Sequence, residues 1–580
     1  MYGRARPPRR VAGERALIGA LSGLVGALVV GALSASQDMF AVVPAGWLGH
    51  VVHGAAVGVA LGVAVGSARR GLPVVATVCG GVLLGCLGWL VRSLTLVPLL
   101  AGRTPTWSAG SAVAAYPQLV GDLLHGGLTG AVLAVLLVVR ARHARSEAGE
   151  PRGRPTRVVI VGGGFGGVSA ARAFERFALR GAPVDVTLVS DSNYLLFTPM
   201  LAEVASGALE PRHISAPVRA SVPHTRFRHG RVEQVDLAGR TVRLAGQEEA
   251  VPYDHLVLAV GSVPHTFGLP GVERYAWTLK NLSDATRLRD HVIGLLERAE
   301  QESDPDERRK ILTFVVAGAG FAGTETIAEL YDLVYGVIQY YPAIREQEPR
   351  FVLVHPGEHI LPELTSALGV YAGKRLQARG IELRPGARVA EATADGVRLT
   401  DGERLPTTTF VWTAGNRPGP LAAGLQDAGG PLGTDPQLRV TGADGVWAVG
   451  DCARIPDPAR DGDHCPPTAQ HAIRQGGAVA ANIVATIEGR EPGAFRFRTL
   501  GVLVALGHRT AAGEVRGIRF SGLAAWLLWR GVYLAKLPGV EKRVRVLFDW
   551  LLDLVFPRDI VVTASGRTPV PDADAVGSPR

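Results

Sequence analysis

The chain has 580 residues, which is enough for several domains with hydrophobic cores of their own. Its hydrophobic content of 47% is high for a water-soluble enzyme, and the excess lies mostly before residue 140. The net charge of +9 comes largely from arginines at the chain ends and beside apolar stretches. It therefore favours anionic lipid, and not nucleic acid, as a partner. The four cysteines form no CxxC pair and no disulfide framework, which fits a reducing compartment.

Four apolar stretches follow a basic N-terminal tail, and each is about long enough to span a bilayer. They are Ala16–Ser36, Leu48–Ala68, Leu72–Val91 and Leu119–Val139. Arg69 and Arg70 lie between the second and third stretches, and Arg140, Arg142 and Arg145 follow the fourth. The positive-inside rule therefore predicts that both ends of the bundle face the cytoplasm. Because three more spans follow the first, we interpret it as a membrane anchor and not as a cleaved signal peptide.

The second and fourth apolar stretches look like copies of each other. GHVVHGAAVG at 49–58 matches GDLLHGGLTG at 121–130, and each copy carries a pair of glycines four residues apart, which suits close helix packing. His53 and His125 then occupy equivalent positions inside the membrane. They could ligate a haem or contact a quinone, but hydrogen bonding between helices is the favoured interpretation.

A polar linker at 146–155 leads into a strand–turn–helix pattern at Thr156–Glu175, whose glycines follow the spacing GxGxxG. Gly162 suits the tight turn, Gly164 lets the backbone approach a pyrophosphate, and Gly167 lets helix and strand pack closely. The helix N-terminus then faces the phosphates with its partial positive charge. We name this pattern the first fingerprint. It predicts dinucleotide binding by the loop residues Gly162, Gly164, Phe165, Gly166 and Gly167.

The second strand, Val184–Ser190, ends where a dinucleotide-binding fold usually carries an acid that holds the adenosine ribose. Ser190 occupies that position and Asp191 follows it, so either side chain could bind the ribose. A further strand, His255–Gly261, ends in a glycine turn. The dinucleotide is therefore expected along the ends of these strands.

A second fingerprint, with Gly318, Gly320 and Gly323, follows a strand and opens another helix. Because each βαβ unit holds one pyrophosphate, two fingerprints imply two dinucleotides. The next strand, Phe351–His355, ends in His355 in place of an acid, and no arginine cluster replaces it. This pattern does not decide between NADH and NADPH.

The C-terminal third begins with an apolar strand that runs into Gly-Asp at 445–451 and a predicted helix at 466–483. Two further apolar segments, Phe520–Leu537 and Val544–Phe556, are too short to span a bilayer comfortably. We predict that they lie on the membrane surface and bury tryptophan and leucine there, with a soluble dimer interface as the alternative. The tryptophans concerned are Trp526, Trp529 and Trp550.

From Thr156 to about Thr563 the chain resembles the type II NADH:quinone oxidoreductases, which are single-subunit, non-proton-pumping membrane flavoenzymes. The resemblance rests on motifs that occur in the family's order and spacing, and it leaves the four-span domain outside. These motifs are VVIVGGGFGG, NYLLFTPMLAEVASG, YDHLVLAVGSVP, VVAGAGFAGTE, VWTAG, VWAVGDCA, PPTAQHAIRQG and WLLWRGVYLAKL.

The resemblance implies FAD at the first fingerprint and NADH at the second. It also implies that Val232 meets the adenine and that Glu325 lies near the flavin, where it takes part in nicotinamide and quinone handling. The other implied contacts are Gly261, Gly450, Asp451, Ala469 and Gln470 for FAD, and Gly318, Gly320, Phe321, Gly323, Glu325, His355, Ala414 and Gly415 for NADH.

For the quinone, Gln470 matches the first glutamine of the family's AQxAxQ pattern. The second glutamine is replaced by Arg474, and Gln475 follows it, so the chain departs from the family there. Cys452 beside Asp451 could suggest a thiol relay to a flavin, but we interpret it as a packed, small apolar side chain. The sequence shows neither a Ser/His/Asp triad nor a metal-ligand cluster.

We therefore predict an α/β protein with two Rossmann-like dinucleotide-binding domains, an N-terminal helical membrane bundle and C-terminal membrane-surface helices. It would reduce a membrane quinone with NADH on the cytoplasmic face of the cell membrane, and it could form a homodimer. The rivals are a related flavoprotein with another reductant, such as sulfide, and a transporter or redox sensor with a regulatory flavin domain. The predicted domains are 1–150 (membrane), 151–290 and 416–495 (FAD), 291–415 (NAD) and 496–580 (membrane-associating).

Overall fold

The computed structural model divides the chain into two compact units, Met1–Glu150 and Pro151–Arg580. It describes residues 17–28, 54–62, 74–91, 116–147, 154–425, 430–458 and 463–562, together with a few positions between 94 and 104. Each unit has its own helices and hydrophobic clusters and is described separately below.

Most described residues of the N-terminal unit are helical. Its α-helices cover 17–28, 54–62, Val74–Val91, Val97–Leu100 and Tyr116–Glu147. The first three predicted spans each contain one of the longer helices, and the fourth lies within the helix Tyr116–Glu147. Among the described residues, one segment, Gln118–Val139, is both long and apolar enough to cross a membrane. The ends of the first two predicted spans, the connections between them and His53 lie outside the described residues.

Glycines allow the backbones of these helices to touch in two similar pairs. A Cβ added to Gly54 would lie 2.8 Å from the Gly23 oxygen, and a Cβ on Gly126 would overlap the Gly81 oxygen. Gly54 and Gly126 occupy the same position in the two similar segments, 49–58 and 121–130. The two helix pairs therefore repeat one contact, as expected for a duplicated helical hairpin that packs through small residues.

His125 lies in one of these helix interfaces and forms polar contacts between helices. Its Nε2 is 3.2 Å from the Gly23 carbonyl oxygen and 3.4 Å from the Thr129 hydroxyl. A buried imidazole with such partners has its hydrogen bonding satisfied inside the bundle. The geometry supports the hydrogen-bonding interpretation of His125 over ligation of a cofactor.

The second unit begins with a five-stranded parallel sheet. β-Branched residues dominate its central strands, which are buried on both faces, as parallel strands usually are. In spatial order the strands are Val446–Ala448, His255–Leu258, Thr156–Val161, Val184–Ser190 and Arg226–His229. The strand Val446–Ala448 is the last of the five along the chain and pairs with His255–Leu258. The chain therefore leaves this sheet after residue 258 and returns to it almost two hundred residues later.

A second parallel sheet is built from the intervening residues. Its strands, in spatial order, are Ile381–Pro385, Arg350–His355, Thr313–Ala317 and Thr409–Trp412. Two smaller antiparallel sheets have two strands each: Tyr194–Leu196 pairs with Ser215–Pro217, and Ser262–Pro264 pairs with Asn416–Pro418. Two others have three strands each, which are, in spatial order, Val232–Asp236, Thr241–Leu244 and Val251–Pro252, and Val389–Thr393, Gly396–Leu399 and Arg404–Pro406. The short strands Leu432–Gly433 and Ala453–Arg454 pair in parallel.

Helices cover both parallel sheets, so the α/β prediction is confirmed for this unit. The longer ones are Phe165–Ala178, Leu282–Gln301, Phe321–Val337, Ser366–Ala378 and Ala469–Ile487. The helix predicted at 466–483 begins three residues later, because two prolines precede Thr468, whose hydroxyl accepts a hydrogen bond from the His471 backbone N–H and caps the helix.

The C-terminal segment forms a small sheet and two helices that pack on the core around the second parallel sheet. The strands are Gly501–Ala505, Ala511–Val515 and Ile518–Ser521, and the helices are Gly522–Lys536 and Val540–Asp553. Trp526, Trp529 and Trp550 are at most 9% exposed and belong to that core. The prediction that these tryptophans enter the membrane interface is therefore wrong. Each stabilises the fold by about 2–3 kcal/mol through burial against protein.

Candidate active site

The first fingerprint forms the expected strand, tight turn and helix. Gly162 has a φ of +111°, and a Cβ on Gly167 would overlap the Gly162 oxygen, so both positions require glycine. Gly164 is the N-cap residue of the helix and, being glycine, has no side chain with which to cap it. A Cβ on Gly164 would have no described atom within 4 Å. This open space in front of free helix N–H groups fits a pyrophosphate.

The strand ends place the predicted ribose residues beside this loop. Ser190 is buried, and its hydroxyl would lie 2.7 Å from a Cβ on Gly163. Asp191 follows as an exposed residue, and Val232 begins a neighbouring strand as a half-buried side chain. Ser190 therefore faces the glycine loop, where a short hydroxyl side chain leaves room for a ribose.

Gly450 and Asp451 line a cavity of about 290 Å³. The Gly450 backbone N–H donates a 2.9 Å hydrogen bond to Oε1 of Gln475, which is 2% exposed. Gln475 also lines the cavity. We expected Gln475 among the quinone contacts, but the structure places it against the predicted flavin residues, because its side chain satisfies the Gly450 amide.

Three polar residues that the sequence analysis did not select connect Asp451 to the rest of the site. The Ser262 hydroxyl donates to Asp451 Oδ2 at 3.1 Å, and Lys280 Nζ donates to Ser262 Oγ at 3.0 Å and to Asn416 Oδ1 at 3.3 Å. Burial lowers the pKa of Lys280. Ser262 follows Gly261, whose φ is +68°. Ser262 lies within the motif YDHLVLAVGSVP, and Asn416 directly follows the motif VWTAG. Their positions in and beside these motifs are the sequence signal that could have identified them.

The second fingerprint repeats the local geometry of the first. Gly318 has a φ of +102°, and a Cβ on Gly323 would overlap the Gly318 oxygen. A Cβ on Gly318 itself would lie 2.8 Å from the Ala414 nitrogen, and Gly415 has a φ of +82°. Ala414 therefore lies against this loop, as a shared nucleotide site requires, and Gly415 follows it directly in the chain.

His355 is the last residue of the strand Arg350–His355 and contacts the glycine loop of the second fingerprint directly. Its Nδ1 accepts a 3.3 Å hydrogen bond from the Ala319 backbone N–H. Burial lowers the pKa of His355, which keeps the imidazole neutral and able to accept this bond. The histidine that replaces the usual acid thus holds the loop in place.

Glu325 lies in the first turns of the second fingerprint helix and points toward the C-terminal segment. Its Oε1 accepts a 3.0 Å hydrogen bond from the Ala505 backbone N–H. Burial, opposed by this bond, raises the pKa of Glu325 to about 8. Burial raises the pKa of Tyr533, and the charge of the nearby Glu325 raises it further.

A row of aromatic rings leads from Tyr533 back to the first fingerprint. The Tyr533 and Phe197 ring centres are 6.0 Å apart, and Phe197 meets Phe165 edge-on at 5.8 Å. Phe165 is the first residue of the first fingerprint helix. Glu325 of the second fingerprint and Phe165 of the first are thus connected through Phe197 and Tyr533, and Tyr533 belongs to the C-terminal helix Gly522–Lys536.

Gln470 and Arg474 lie one turn apart on the helix Ala469–Ile487. Gln470 Nε2 donates to the Gly501 carbonyl oxygen at 2.9 Å, and Arg474 donates to the Gln470 carbonyl oxygen at 3.0 Å. The Arg474 guanidinium also lies 4.0 Å from the centre of the Phe497 ring. The strand Gly501–Ala505 therefore binds Gln470 at its first residue and Glu325 at its last.

A buried cluster of charged groups lies behind Glu325. Glu329 accepts hydrogen bonds from Ser206 Oγ at 2.6 Å and from Arg558 at 3.3 Å. Glu203 accepts from the Trp550 indole N–H at 3.1 Å, and burial raises the pKa of Glu203 to about 8. The Glu329 charge also raises the pKa of Glu325. The cluster thus fixes the C-terminal helices and helps to keep Glu325 protonated near neutral pH.

Neither cysteine near the predicted flavin site has the character of a redox thiol. Cys452 is fully buried, and its thiol contacts the carbonyl oxygens of Leu258 and Val449. Burial raises the pKa of Cys452 to about 11, and burial raises that of Cys465 to about 11 as well. Because thiolates, and not thiols, attack disulfides and flavins, these groups are inert near neutral pH.

Comparison with known proteins adds family models and curated relatives. Residues 156–476 match the model described as pyridine nucleotide-disulphide oxidoreductase, and residues 500–559 match the NDH2 C-terminal domain. The type II NADH:quinone oxidoreductase Ndh of Mycobacterium tuberculosis is 31% identical over 432 residues, covering 70% of this chain and 91% of that protein. The NdhA protein of the same organism is 32% identical, covering 70% and 88%.

Solved structures share the fold. NDH2 from Plasmodium falciparum in complex with NADH has a TM-score of 0.66 at 19% identity, over 70% of this chain and all of that one. The sulfide:quinone oxidoreductase of Aquifex aeolicus has a TM-score of 0.54 at 18% identity, over 69% and 95%. At these identities the likeness to both structures shows the fold alone. On these sequence matches, the chain belongs to the type II NADH:quinone oxidoreductase family.

Proposed function

We propose that this chain oxidises NADH and reduces a membrane quinone, with FAD as its resident cofactor. Membership of the type II NADH:quinone oxidoreductase family supports the reaction. The observation that carries it is the strand Gly501–Ala505, which binds Gln470 at one end and Glu325 at the other. A residue of the nicotinamide fingerprint and a residue of the quinone pattern are thereby held on one scaffold.

FAD fits the first fingerprint because Gly164 leaves open space at a helix N-terminus whose N-cap residue has no side chain. When bound, FAD would supply two-electron chemistry between a nicotinamide and a quinone. The residues proposed to hold it are Gly162, Gly164, Phe165, Gly166, Gly167, Ser190, Asp191, Val232, Gly261, Gly450, Asp451, Ala469 and Gln470. We add Ser262, Lys280 and Gln475, whose hydrogen bonds order Gly450 and Asp451.

For NADH we propose Gly318, Gly320, Phe321, Gly323, Glu325, His355, Ala414 and Gly415. Glu325 is proposed as the proton donor during quinone reduction or as the group that aligns the nicotinamide. A carboxyl with a pKa of about 8 is mostly protonated at neutral pH and can donate. Gln470 and Arg474 are proposed to orient the quinone, because both lie where the helix Ala469–Ile487 meets strand Gly501–Ala505.

The domain and membrane assignments belong to the same proposal. Residues 1–150 would form a multi-pass domain, and the catalytic unit would face the cytoplasm. Helix Leu282–Gln301 runs through position 290 and packs on the core around the second sheet, so we move the proposed FAD–NAD boundary to the start of that helix. The division at 415–416 and the membrane-associating region at 496–580 stay as predicted.

Two rival functions make different demands on the same site. A sulfide-oxidising relative needs reactive thiols, and burial makes Cys452 and Cys465 unreactive. A transporter or sensor with a regulatory flavin domain would accept electrons from NADH without efficient quinone turnover. The hydrogen bonds of Gln470 and Glu325 to the same strand, Gly501–Ala505, favour turnover.

The purified full chain should be compared with a variant that contains residues 151–580. We expect NADH to reduce the flavin of both proteins stoichiometrically without oxygen, and both to turn over with quinones, because the second unit has its own cores. Reduction by sulfide in place of NADH would contradict the proposal. So would complete reduction by NADH with negligible turnover on every quinone tested, which is the behaviour of a sensor.

The helix Val540–Asp553 should hold the catalytic unit on the membrane. Leu547, Phe548 and Leu551 are exposed, whereas Trp550 of the same helix is buried, and exposed apolar side chains suit contact with lipid. We expect Phe548→Glu combined with Leu551→Glu, in the 151–580 variant, to weaken binding to anionic liposomes by about tenfold or more. Leu179→Glu, at another exposed apolar position, is the control. Point substitutions are preferable to deleting residues 520–580, because such a deletion would remove Trp529 and Trp550 from the core.

A further inference from the structure

The two fingerprints differ at the position where a pyrophosphate is expected. Gly164 and Gly320 are equivalent, since each is the middle glycine and the N-cap of its helix. A Cβ on Gly164 would have no described atom within 4 Å. A Cβ on Gly320 would lie 2.8 Å from Glu363 Oε1 and 3.8 Å from its Oε2. One space is open, and the other contains a carboxylate.

The Glu363 carboxylate lies at the helix N-terminus that should receive the dinucleotide phosphates. Burial raises the pKa of Glu363, whereas the backbone N–H groups of Glu363 itself and of Phe321, the first residue of the helix, lower it. The loop that carries Glu363 is anchored two residues earlier, where the Leu361 backbone N–H donates to the Ala319 carbonyl oxygen at 2.7 Å. Free N–H groups and the helix dipole favour an anion here, and Glu363 supplies one from within the chain.

We propose that Glu363 is a resident anion that competes with the NADH pyrophosphate and thereby sets the affinity for the dinucleotide. This inference rests on the proposed assignment of NADH to the second fingerprint. Two anions cannot share one set of N–H donors, so the carboxylate must swing away when the dinucleotide binds. Glu363 is an exposed residue with a flexible side chain, which makes that movement possible without a change in the fold.

The same competition acts on the oxidised product, because NAD⁺ carries the same pyrophosphate. A carboxylate that returns to the helix N-terminus favours product release as much as it opposes substrate binding. Glu363 is therefore an affinity-determining residue and not a catalytic one. Its removal should tighten binding of both forms of the dinucleotide, with FAD content unchanged.

The test is Glu363→Gln in the full-length holoenzyme. We expect the KM for NADH and the dissociation constant of ADP-ribose, measured by calorimetry, both to fall roughly three- to tenfold. Inhibition by NAD⁺ should strengthen by the same factor. Glu358→Gln is the control, since Glu358 is an exposed carboxylate in the same loop. Glu363→Asp, which keeps the charge but shortens the side chain, should give intermediate values.

An unchanged or raised dissociation constant of ADP-ribose for Glu363→Gln would overturn the inference. An equal effect of Glu358→Gln would also overturn it, because general surface charge would then explain the result. Failure of the proposed function has another signature, namely a wild-type flavin that NADH does not reduce. Binding of ADP-ribose is measured without turnover, so the two failures are distinguishable.

Discussion

Gly164→Val is expected to give a folded protein that retains no FAD. The backbone at Gly164 has an ordinary φ of −76°, and a Cβ there meets no described atom within 4 Å, so the substitution costs the apoprotein little. The valine side chain would instead occupy the space proposed for the pyrophosphate. The flavin absorbance of the purified variant should fall to about a tenth of wild type or less. Far-UV circular dichroism should be unchanged.

Two other glycines are the controls for this result. Gly167→Val should disrupt the fold, because its Cβ would overlap the Gly162 oxygen. Gly320→Val should keep FAD but lose reduction by NADH, since it changes only the second fingerprint. Full flavin content in Gly164→Val would refute the site assignment. Loss of flavin in Gly320→Val would show that the two fingerprints are assigned in the wrong order.

Glu325→Gln should lower turnover about a hundredfold with FAD still bound, if the carboxyl transfers a proton in the rate-limiting step. The amide keeps an oxygen for the Ala505 N–H, so the local structure should survive. Wild-type turnover should decline as pH rises through about 8, where the carboxyl loses its proton. This decline should be absent in Glu325→Gln, and Glu325→Asp should restore part of the activity. If the Glu325→Gln variant turned over as fast as the wild-type protein at saturating substrate concentrations, both proposed roles of Glu325 would be excluded.

The same carboxyl makes stability depend on pH. Its pKa in the folded protein is about 8, above the value of about 4.3 expected for an unfolded chain. Between these values the folded protein binds one more proton than the unfolded chain. The free energy of unfolding should therefore fall as pH rises through that range. Glu325→Gln should remove this contribution, which denaturant unfolding at pH 6 and pH 8 would measure.

The sequence alone identified the two dinucleotide fingerprints because local backbone geometry dictates them. Gly162 and Gly318 need a positive φ, and Gly167 and Gly323 have no room for a Cβ, so only one residue type fits each position. The β-branched strands before them and the helices after them follow from equally local preferences. The family and its reaction could be read from motif order for the same reason.

Tertiary structure decided which partners the side chains met. Gln475 pairs with Gly450, and Lys280 with Ser262, across separations in the chain that no local pattern encodes. The tryptophans of the C-terminal helices looked like membrane residues because their hydrophobicity suits lipid and a protein core equally well. Their direction is set by the partners packed against them, such as Glu203, which binds the Trp550 indole. Glu363 had no sequence signal, because its significance lies in the position beside Gly320 in which folding places its carboxylate.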